Sequence, residues 1–350
     1  DDMSSGAKTK PDTPNNRLLR SSEKGDLAGA EAALQNGADL HASDDGQNTP
    51  LHLASYRGHS TLVDWLLSSG ADASRGNENQ DLPLHLAALA NRLHVVRILL
   101  APSTASKSDL EASDAQGYRP LHYACGEGHV EVAEFLVKEA RAKTDSRNMD
   151  GLSPLMCSVQ QGHREIVKML LEFEPACIDQ FNNCSDTSLH YAMISDAGIP
   201  MIELLLRCGA DPDKQNAEGH TPLVEAVIEK KTDSADFLTR VVNQLRHYPG
   251  YSDFRTAPQR AAAVAEILDG KWKPSSDVVA SQSMAAASTA AAGKAGHAGR
   301  TKLKFSSARA GIRTKTSIET AREEFAAATE APKPKPKSRI FTPGSSNFNF

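Results

Sequence analysis

Histidine is the residue type whose spacing in this sequence could support chemistry. Four histidines follow a leucine in one repeated phrase, at His52, His85, His122 and His190. Three more follow a glycine and stand five residues after the end of a copy of that phrase, at His59, His129 and His163. Imidazole nitrogens bind zinc at about 2 Å. A separation of one repeat places two histidines one helix layer apart, which is about 10 Å. They are too far apart to share an ion, so we expect no metal site and no cofactor.

Motifs for other kinds of catalysis are missing from the sequence. It contains no P-loop, no GxGxxG and no HExxH, and no serine or cysteine stands in a nucleophile motif. The five cysteines are odd in number and form no CxxC; they are Cys125, Cys157, Cys177, Cys184 and Cys208. This usage is typical of reduced thiols in a reducing compartment. We therefore expect a cytoplasmic protein that is not an enzyme and takes no small-molecule substrate.

One short phrase recurs along the chain and organises it. Its versions are TPLHLA (49–54), LPLHLA (82–87), RPLHYA (119–124), SPLMCS (153–158), TSLHYA (187–192) and TPLVEA (221–226). The second position of the phrase recurs in steps of 33, 37, 34, 34 and 34 residues. A regular step of this size predicts a stack of similar structural units.

Residues 117–137 show what one unit contains. Pro120 suits the first turn of a helix, where a missing N–H costs nothing. Gly128 can adopt the left-handed conformation that ends a helix, and Val132 and Leu136 then begin the apolar stripe of a second helix. Neither helix can bury its apolar face alone, so each needs the next copy beside it.

The sequence resembles the ankyrin-repeat family. Besides the phrase above, it has a closing Gly-Ala-Asp at 37–39, 70–72 and 209–211, and Gly-His at 58–59, 128–129 and 162–163. The resemblance implies an all-α solenoid of helix-turn-helix units joined by loop or β-hairpin fingers. It also implies that the histidines form structural hydrogen bonds that tie helix starts to loops. Seven repeats are predicted near 16–45, 46–78, 79–115, 116–149, 150–183, 184–217 and 218–247.

Three further segments flank the predicted repeats. Residues 1–15 are expected to be a disordered arm, and residues 248–273 a C-terminal capping helix with Ala262, Ala265, Ile267 and Leu268 inward. Residues 274–350 form a low-complexity tail with 12 Lys/Arg against 5 Asp/Glu, so the tail carries +7 and the remainder −12 of the total −5. Few large apolar residues occur in the tail, so we expect it to be extended unless it is bound.

Two departures from the repeat pattern lead to specific structural predictions. Asn91 replaces the glycine between the helices of the third repeat and should keep the positive φ. The sixth repeat lacks both the proline and Gly-His, and we expect its second helix to begin at Pro200.

Ankyrin-repeat proteins bind partners through finger tips and the ends of the first helices, and this resemblance supplies the candidate contacts. They are Asp45, Gln47, Tyr56, Arg57, Glu78, Gln116, Tyr118, Glu127, Met149, Gln160, Phe181 and Glu218. Tyrosine and arginine are frequent energetic centres of interfaces, and an apolar Met or Phe at a solvent tip is unusual.

The main functional hypothesis is a protein-interaction scaffold. Isolated apolar residues in the basic tail would anchor it as a strap on a multi-subunit assembly, cytoskeletal or ciliary; they include Phe305, Ile312, Phe325, Ile340, Phe341 and Phe350. The alternative is a targeting or regulatory segment of a larger enzyme or channel, since the chain begins with Asp1. Nucleic acid is not favoured as a partner because the tail lacks an aromatic-basic motif. No apolar run approaches the roughly 18 residues of a membrane span.

Overall fold

The computed structural model describes residues 12–101, 109–195 and 197–272. The N-terminal residues 1–11, residues 102–108 of the third repeat, residue 196 and the whole tail from 273 lie outside the described residues. The six tail anchors, including Phe305 and Phe350, therefore lie outside them too.

Within the described residues the chain forms seven consecutive helix pairs and one further helix. The first four pairs are α1 Pro14–Lys24 and α2 Leu27–Gln35, α3 Pro50–Arg57 and α4 Ser60–Ser68, α5 Pro83–Leu89 and α6 Leu93–Leu99, and α7 Pro120–Gly126 and α8 Val130–Glu134. The last three are α9 Pro154–Gln160 and α10 Arg164–Phe173, α11 Ser188–Ile194 and α12 Gly198–Arg207, and α13 Pro222–Ile228 and α14 Thr232–Arg246, followed by α15 Ala257–Leu268. Helix α8 continues as one π-helical turn, Phe135–Glu139, and short 3-10 turns occur at Pro175–Asp179 and Tyr251–Asp253. The described part has no strand, only an isolated bridge between Phe181 and Thr187.

Local sequence sets where these helices begin and end. Proline occupies the first helical position in α3, α5, α7, α9 and α13. The bend between paired helices uses positive φ, at +87° for Gly58, +82° for Gly128 and +79° for Gly162. Asn91 has φ of +58° at the equivalent place, which confirms that asparagine replaces glycine there.

The helices form two layers that share one continuous core. The first helices of the pairs pack on one another from α1 to α13 and form the inner layer, and the second helices form the outer layer. Leucine, isoleucine and valine from both layers fill the space between them, for example Leu66, Val96, Leu136 and Ile166, all essentially inaccessible to solvent. Each repeat therefore buries its apolar surface against its neighbours.

A tight turn, here called a finger, precedes the first helix of each repeat after the first. The fingers are residues 44–48, 77–81, 114–118, 148–152, 182–186 and 216–220, and each begins with Asp or Asn. In the finger at 148–152, Asn148 Oδ1 accepts hydrogen bonds from the backbone N–H groups of Asp150, at 3.0 Å, and Leu152, at 2.8 Å. All six fingers repeat this arrangement.

Neighbouring fingers are joined by main-chain hydrogen bonds, one per junction. The N–H groups of Glu78, Ala115, Met149, Asn183 and Ala217 donate to carbonyl oxygens of the preceding finger over 2.8–3.2 Å. This finger ladder fixes the spacing of the tips without using side chains.

The C-terminal cap is α15, but its buried face differs from the predicted one. Arg260, Ala263, Val264 and Ile267 are buried, whereas Ala262 is exposed and Ala265 and Leu268 are half-buried. Helix α15 packs on α12 and α14, and Arg260 donates to the Gly209 carbonyl oxygen at 2.7 Å, which rotates the helix away from the expected face.

Two predicted boundaries also change. Helix α1 begins at Pro14, inside the stretch 1–15 that was expected to be disordered, because Thr13 caps it. The second helix of the sixth repeat begins at Gly198 and not at Pro200. A proline is well tolerated in the first turn of a helix, so Pro200 does not have to be its first residue.

Candidate protein-binding surface

The histidines of the repeated phrase serve the fold. The backbone N–H of Thr49 donates to His52 Nδ1 at 3.1 Å, which leaves the proton on Nε2 to be donated to the Asp81 carbonyl oxygen at 2.8 Å. The same two bonds form at His85, His122 and His190. Each histidine thus ties a helix start to the loop of the following repeat, which confirms the predicted structural role.

Burial keeps these rings neutral. Loss of solvation lowers the pKa of His52, His85 and His122 to about 4, although the hydrogen bond that each ring donates to a carbonyl oxygen acts in the opposite direction. The histidines of the Gly-His pairs instead form hydrogen bonds to the preceding repeat. Nε2 of His59, His129 and His163 lies 3.0, 2.9 and 2.9 Å from carbonyl oxygens of Glu23, Leu89 and Gly126. No group of three metal-ligating side chains occurs among the described residues.

The finger tips carry most of the predicted contact residues in an exposed row. Solvent reaches Asp45, Gln47, Glu78, Gln116, Met149, Phe181 and Glu218. The finger ladder holds them one repeat apart along the same edge of the solenoid. This edge therefore presents side chains in fixed positions on a main chain whose hydrogen bonds are already made.

Tyr118 does not belong to this surface, and its assignment as an exposed tip is wrong. Its side chain is 3% exposed and packs on the rings of His122 and Tyr123, with centroid distances of 5.8 and 5.9 Å. It occupies the last position of its finger, where the chain turns inward toward the helix. An in-phase comparison would have shown this position, since Asn48, Asp81, Leu152 and Asp186 occupy it in other fingers and are buried as well.

The ends of the inner helices are less accessible than the tips. Tyr56, Arg57, Glu127 and Gln160 are half-buried. Arg57 donates to Glu23 Oε1 at 2.7 Å, and its guanidinium carbon lies 5.7 Å from the centroid of the Tyr56 ring. These side chains line the surface without projecting from it.

Three exposed side chains lie at two adjacent finger tips and are here called the apolar tip patch: Met149, Phe181 and Arg147, of which the last two each stand one residue before a finger. Met149 is 69% exposed and Phe181 43% exposed. The Arg147 guanidinium carbon lies 5.0 Å from the Phe181 ring centroid, and Asn183 Nδ2 donates to the Met149 carbonyl oxygen at 2.7 Å. The backbone beneath the patch is thus fixed, and the apolar side chains are held in solvent. The sequence analysis did not single out Arg147, although it is the residue of its repeat that is equivalent to Phe181.

A second exposed apolar group lies on α13. Val224, Val227 and Ile228 are large apolar residues open to solvent. Val224 and Val227 were not among the predicted contact residues. The signal was present in the sequence, since Val224 stands where other repeats have histidine or Met156.

Comparison with known families agrees with this architecture. A family model described as ankyrin repeats (3 copies) matches residues 18–114, 76–148, 103–182 and 138–216. These matches together span more than half of the chain, which therefore belongs to the ankyrin-repeat family. Ankyrin repeats are generally protein–protein interaction modules and are not catalytic in themselves.

Several larger proteins share similarity with part of the chain. It is 31% identical over 146 residues to E3 ubiquitin-protein ligase KEG of Arabidopsis thaliana, a match to 40% of this chain and 9% of the ligase. It is 29% identical over 131 residues to transient receptor potential cation channel subfamily A member 1 of Homo sapiens, covering 37% of this chain and 12% of the channel. It is 31% identical over 140 residues to B-cell lymphoma 3 protein homolog of Mus musculus, covering 39% and 30% respectively. The match thus spans less than a third of each relative.

Among the described helices, none combines the length and the apolar character needed to cross a bilayer.

Proposed function

We propose that this protein is a non-enzymatic scaffold that binds a protein partner along its finger tips, with the apolar tip patch at the centre of the contact. The observation that carries the proposal is Met149, a large apolar side chain 69% exposed on a rigid tip. Burying Met149 and Phe181 against a partner would remove apolar surface from water, at about 25 cal/mol per Å². Arg147, already placed over the Phe181 ring, supplies a residue type that is common at energetic centres of interfaces.

Fixed geometry favours such binding. The finger ladder holds the tips before any partner arrives, so association does not have to order a loop. Exposed Asp45, Glu78 and Glu218 lie on the same edge and would select for a partner with basic groups around an apolar centre.

The test begins with affinity capture by the full chain and identification of the partner, followed by measured dissociation constants. Met149→Ser and Phe181→Ser should each weaken binding about tenfold. Lys168→Ala is the matched control, because Lys168 is exposed on the outer helix α10; it should leave affinity unchanged. Unaltered affinity in both tip variants, at unaltered melting temperatures, would remove the tip patch from the interface.

The tail would extend the scaffold to a second site on a multi-subunit assembly. Its charge of +7 against −12 for the remainder, and its isolated apolar residues, support a strap that crosses a larger surface. A cytoskeletal or ciliary assembly in the cytoplasm is the proposed setting. Deleting residues 331–350 should then reduce retention in the purified assembly while leaving the affinity for the tip partner unchanged.

A second candidate function follows from the relatives. A ubiquitin ligase and a cation channel match this chain over only 9% and 12% of their own lengths. Under this reading the ankyrin domain would position an activity carried elsewhere in a longer protein. Sequencing the full transcript distinguishes the two, since the second requires a further domain in the same open reading frame.

A further inference from the structure

The last inner helix, α13, leaves an apolar stripe uncovered. Val224, Val227 and Ile228 are 40%, 64% and 37% exposed. They are three and four residues apart, so they lie on one face of the helix. We call these three residues the end face.

Equivalent positions in the earlier repeats show what this face is built to contact. The position of Val224 is occupied by His52, His85, His122, Met156 and His190, each 0% exposed. The position of Val227 is occupied by Ser55, Ala88, Cys125, Val159 and Met193, again each 0% exposed. In those repeats the next repeat covers both positions, so the end face is a stacking surface without its next repeat.

The side chains of the end face fit this interpretation. The histidines of earlier repeats reach a carbonyl oxygen of the following loop. Within the described residues no finger follows α13, and valine replaces histidine there. Helix α15 covers α12 and α14 with Ala263, Val264 and Ile267, so it closes the outer layer and leaves the inner layer open.

We propose that residues 317–330 of this chain bind the end face and take the place of the missing inner helix. The sequence of this segment, SIETAREEFAAATE, begins with Ser317, a residue type that favours helix starts, and has apolar residues at Ile318, Ala321 and Phe325. That spacing gives one apolar stripe, which is what the end face lacks.

Charge favours this segment over the rest of the tail. Residues 317–330 contain four glutamates and one arginine, whereas the flanking stretches are basic. Next to the end face, the turn after α13 carries exposed Lys230 and half-buried Lys231. An acidic helix beside these lysines gains attraction that the basic stretches 294–315 and 333–339 cannot provide.

Chain length permits the contact within one molecule. The described structure stops at Trp272, whose ring lies 5.3 Å from that of Tyr248 after α14. The 44 residues from 273 to 316 would span about 36 Å as a flexible coil. Such a tether gives an effective concentration in the millimolar range, which favours the chain's own segment over a second copy at ordinary protein concentrations.

Hydrogen exchange on the full chain tests the proposal, with solution mass measured in parallel. Ile318→Asp combined with Phe325→Asp should raise the exchange rate of the α13 amides at least tenfold, without a change in the oligomeric state shown by the molecular mass in solution. Val227→Asp should do the same. The matched control is Ile340→Asp combined with Phe341→Asp, which changes two other apolar tail residues and should leave α13 exchange unaltered.

Two results would overturn the proposal. If α13 exchange is the same in the wild type and the Ile318/Phe325 variant, the segment does not cover the end face. If the wild type is a dimer that only Val227→Asp dissociates, a second copy covers it instead.

Discussion

The two halves of the solenoid hold the same repeat frame with different chemistry. In the N-terminal half, through residue 149, buried histidines tie each helix start to the next loop. In the C-terminal half, only the sixth repeat keeps this histidine, as His190, and Met156 and Val224 take the position in the fifth and seventh repeats. The repeat frame therefore does not require histidine at this site, and the histidine adds a bond where a following loop can accept it.

The bends between paired helices differ between the halves in a similar way. A Cβ atom added to Gly25 or Gly128 would lie 2.5 or 2.6 Å from the imidazole of His59 or His163, whereas one added to Gly162 would meet, among the described residues, only the Cα of Ala197, at 3.9 Å. Side chains thus close the bends at the first and fourth repeats, and the bend of the fifth is open. The C-terminal half relies instead on α15 and its buried Arg260.

Acidification should produce the largest difference in stability between the two halves. His52, His85 and His122 have folded pKa values of about 4, below the 6.5 of an unfolded histidine. The unfolded state binds more protons between these values, so stability falls as pH drops from 6.5 toward 4. At pH 4.5 the loss is about 2 kcal/mol per histidine. Hydrogen exchange at pH 7 and 4.5 should show the N-terminal half opening first.

His122→Met, which copies Met156, is the control for the acid effect. It should lower stability at pH 7 and make the dependence on pH shallower. Equal stability of wild type at pH 7 and 4.5 would contradict the assigned role of these rings.

Loss of Arg260 should destabilise the C-terminal half. Its buried guanidinium donates to the Gly209 carbonyl oxygen and to Asp179 Oδ1, both at 2.7 Å. Arg260→Ala leaves a carbonyl and a carboxylate without this partner and should cost about 2 kcal/mol, less than a fully buried pair because Asp179 is half exposed. Denaturant unfolding measures this cost. Arg20→Ala, on the exposed face of α1, should cost less than about 0.5 kcal/mol, and similar costs for the two variants would remove the contrast between the ends.

Alanine at two equivalent bends should sharpen the comparison. Gly128 and Gly162 have nearly the same φ, +82° and +79°, so the conformational strain of alanine is about 1 kcal/mol at either. At Gly128 the new methyl group also collides with the His163 ring. Gly128→Ala should therefore cost about 2 kcal/mol against about 1 for Gly162→Ala. Denaturant midpoints give both numbers, and equal shifts would show that His163 moves aside freely.

The smallest predicted effect is a gain in stability. The Tyr123 hydroxyl lies 3.0 Å from Asp81 Oδ1 and 2.6 Å from Asp114 Oδ2, and it has only one proton to donate. Burial raises the pKa of Asp114 despite hydrogen bonds that lower it. Because its pKa is raised in the folded state, this carboxyl group stabilises the fold when the pH is below the ordinary carboxyl pKa, and it loses that contribution as the pH rises.

Asp114→Asn should then stabilise the protein by about 1 kcal/mol at pH 7. Asparagine already fills this position at Asn77, Asn148, Asn182 and Asn216, where it forms the same turn. Unfolding at pH 7 and pH 3 tests the sign, since the gain should shrink at pH 3. A loss of stability at pH 7 would mean that the carboxylate charge itself holds the finger.

The number of repeats, the order of the helices and the bends were predictable because the same sequence motifs recur in successive repeats. The positive φ of Asn91 was predicted correctly because it depends only on the residue type, and asparagine tolerates positive φ better than most residues. The positions that failed depend on how neighbouring elements meet. Tyr118 is buried because its finger turns it onto two aromatic rings, and the face of α15 is set by the bond of Arg260 to a residue 51 positions away.

The candidate surface was predictable only as a set of positions. Repeat phase places residues at tips, but it does not say which tips are apolar together. Arg147 and Phe181 meet because they are equivalent residues of adjacent repeats, a relation visible only once the fingers are stacked. Val224 and Val227 are exposed because the inner layer stops there, and that depends on what α15 covers.

The finger ladder has a consequence for how this protein can change over generations. Every bond in the ladder joins main-chain atoms, so replacing a tip side chain breaks none of them. Inherited variation at positions such as Glu78, Gln116 and Met149 can therefore change the side chains that the tips present at little cost to folding, and under the proposed function this would alter partner choice. The tips are where selection is expected to act fastest, and a library randomised at these positions should yield new binders that still fold.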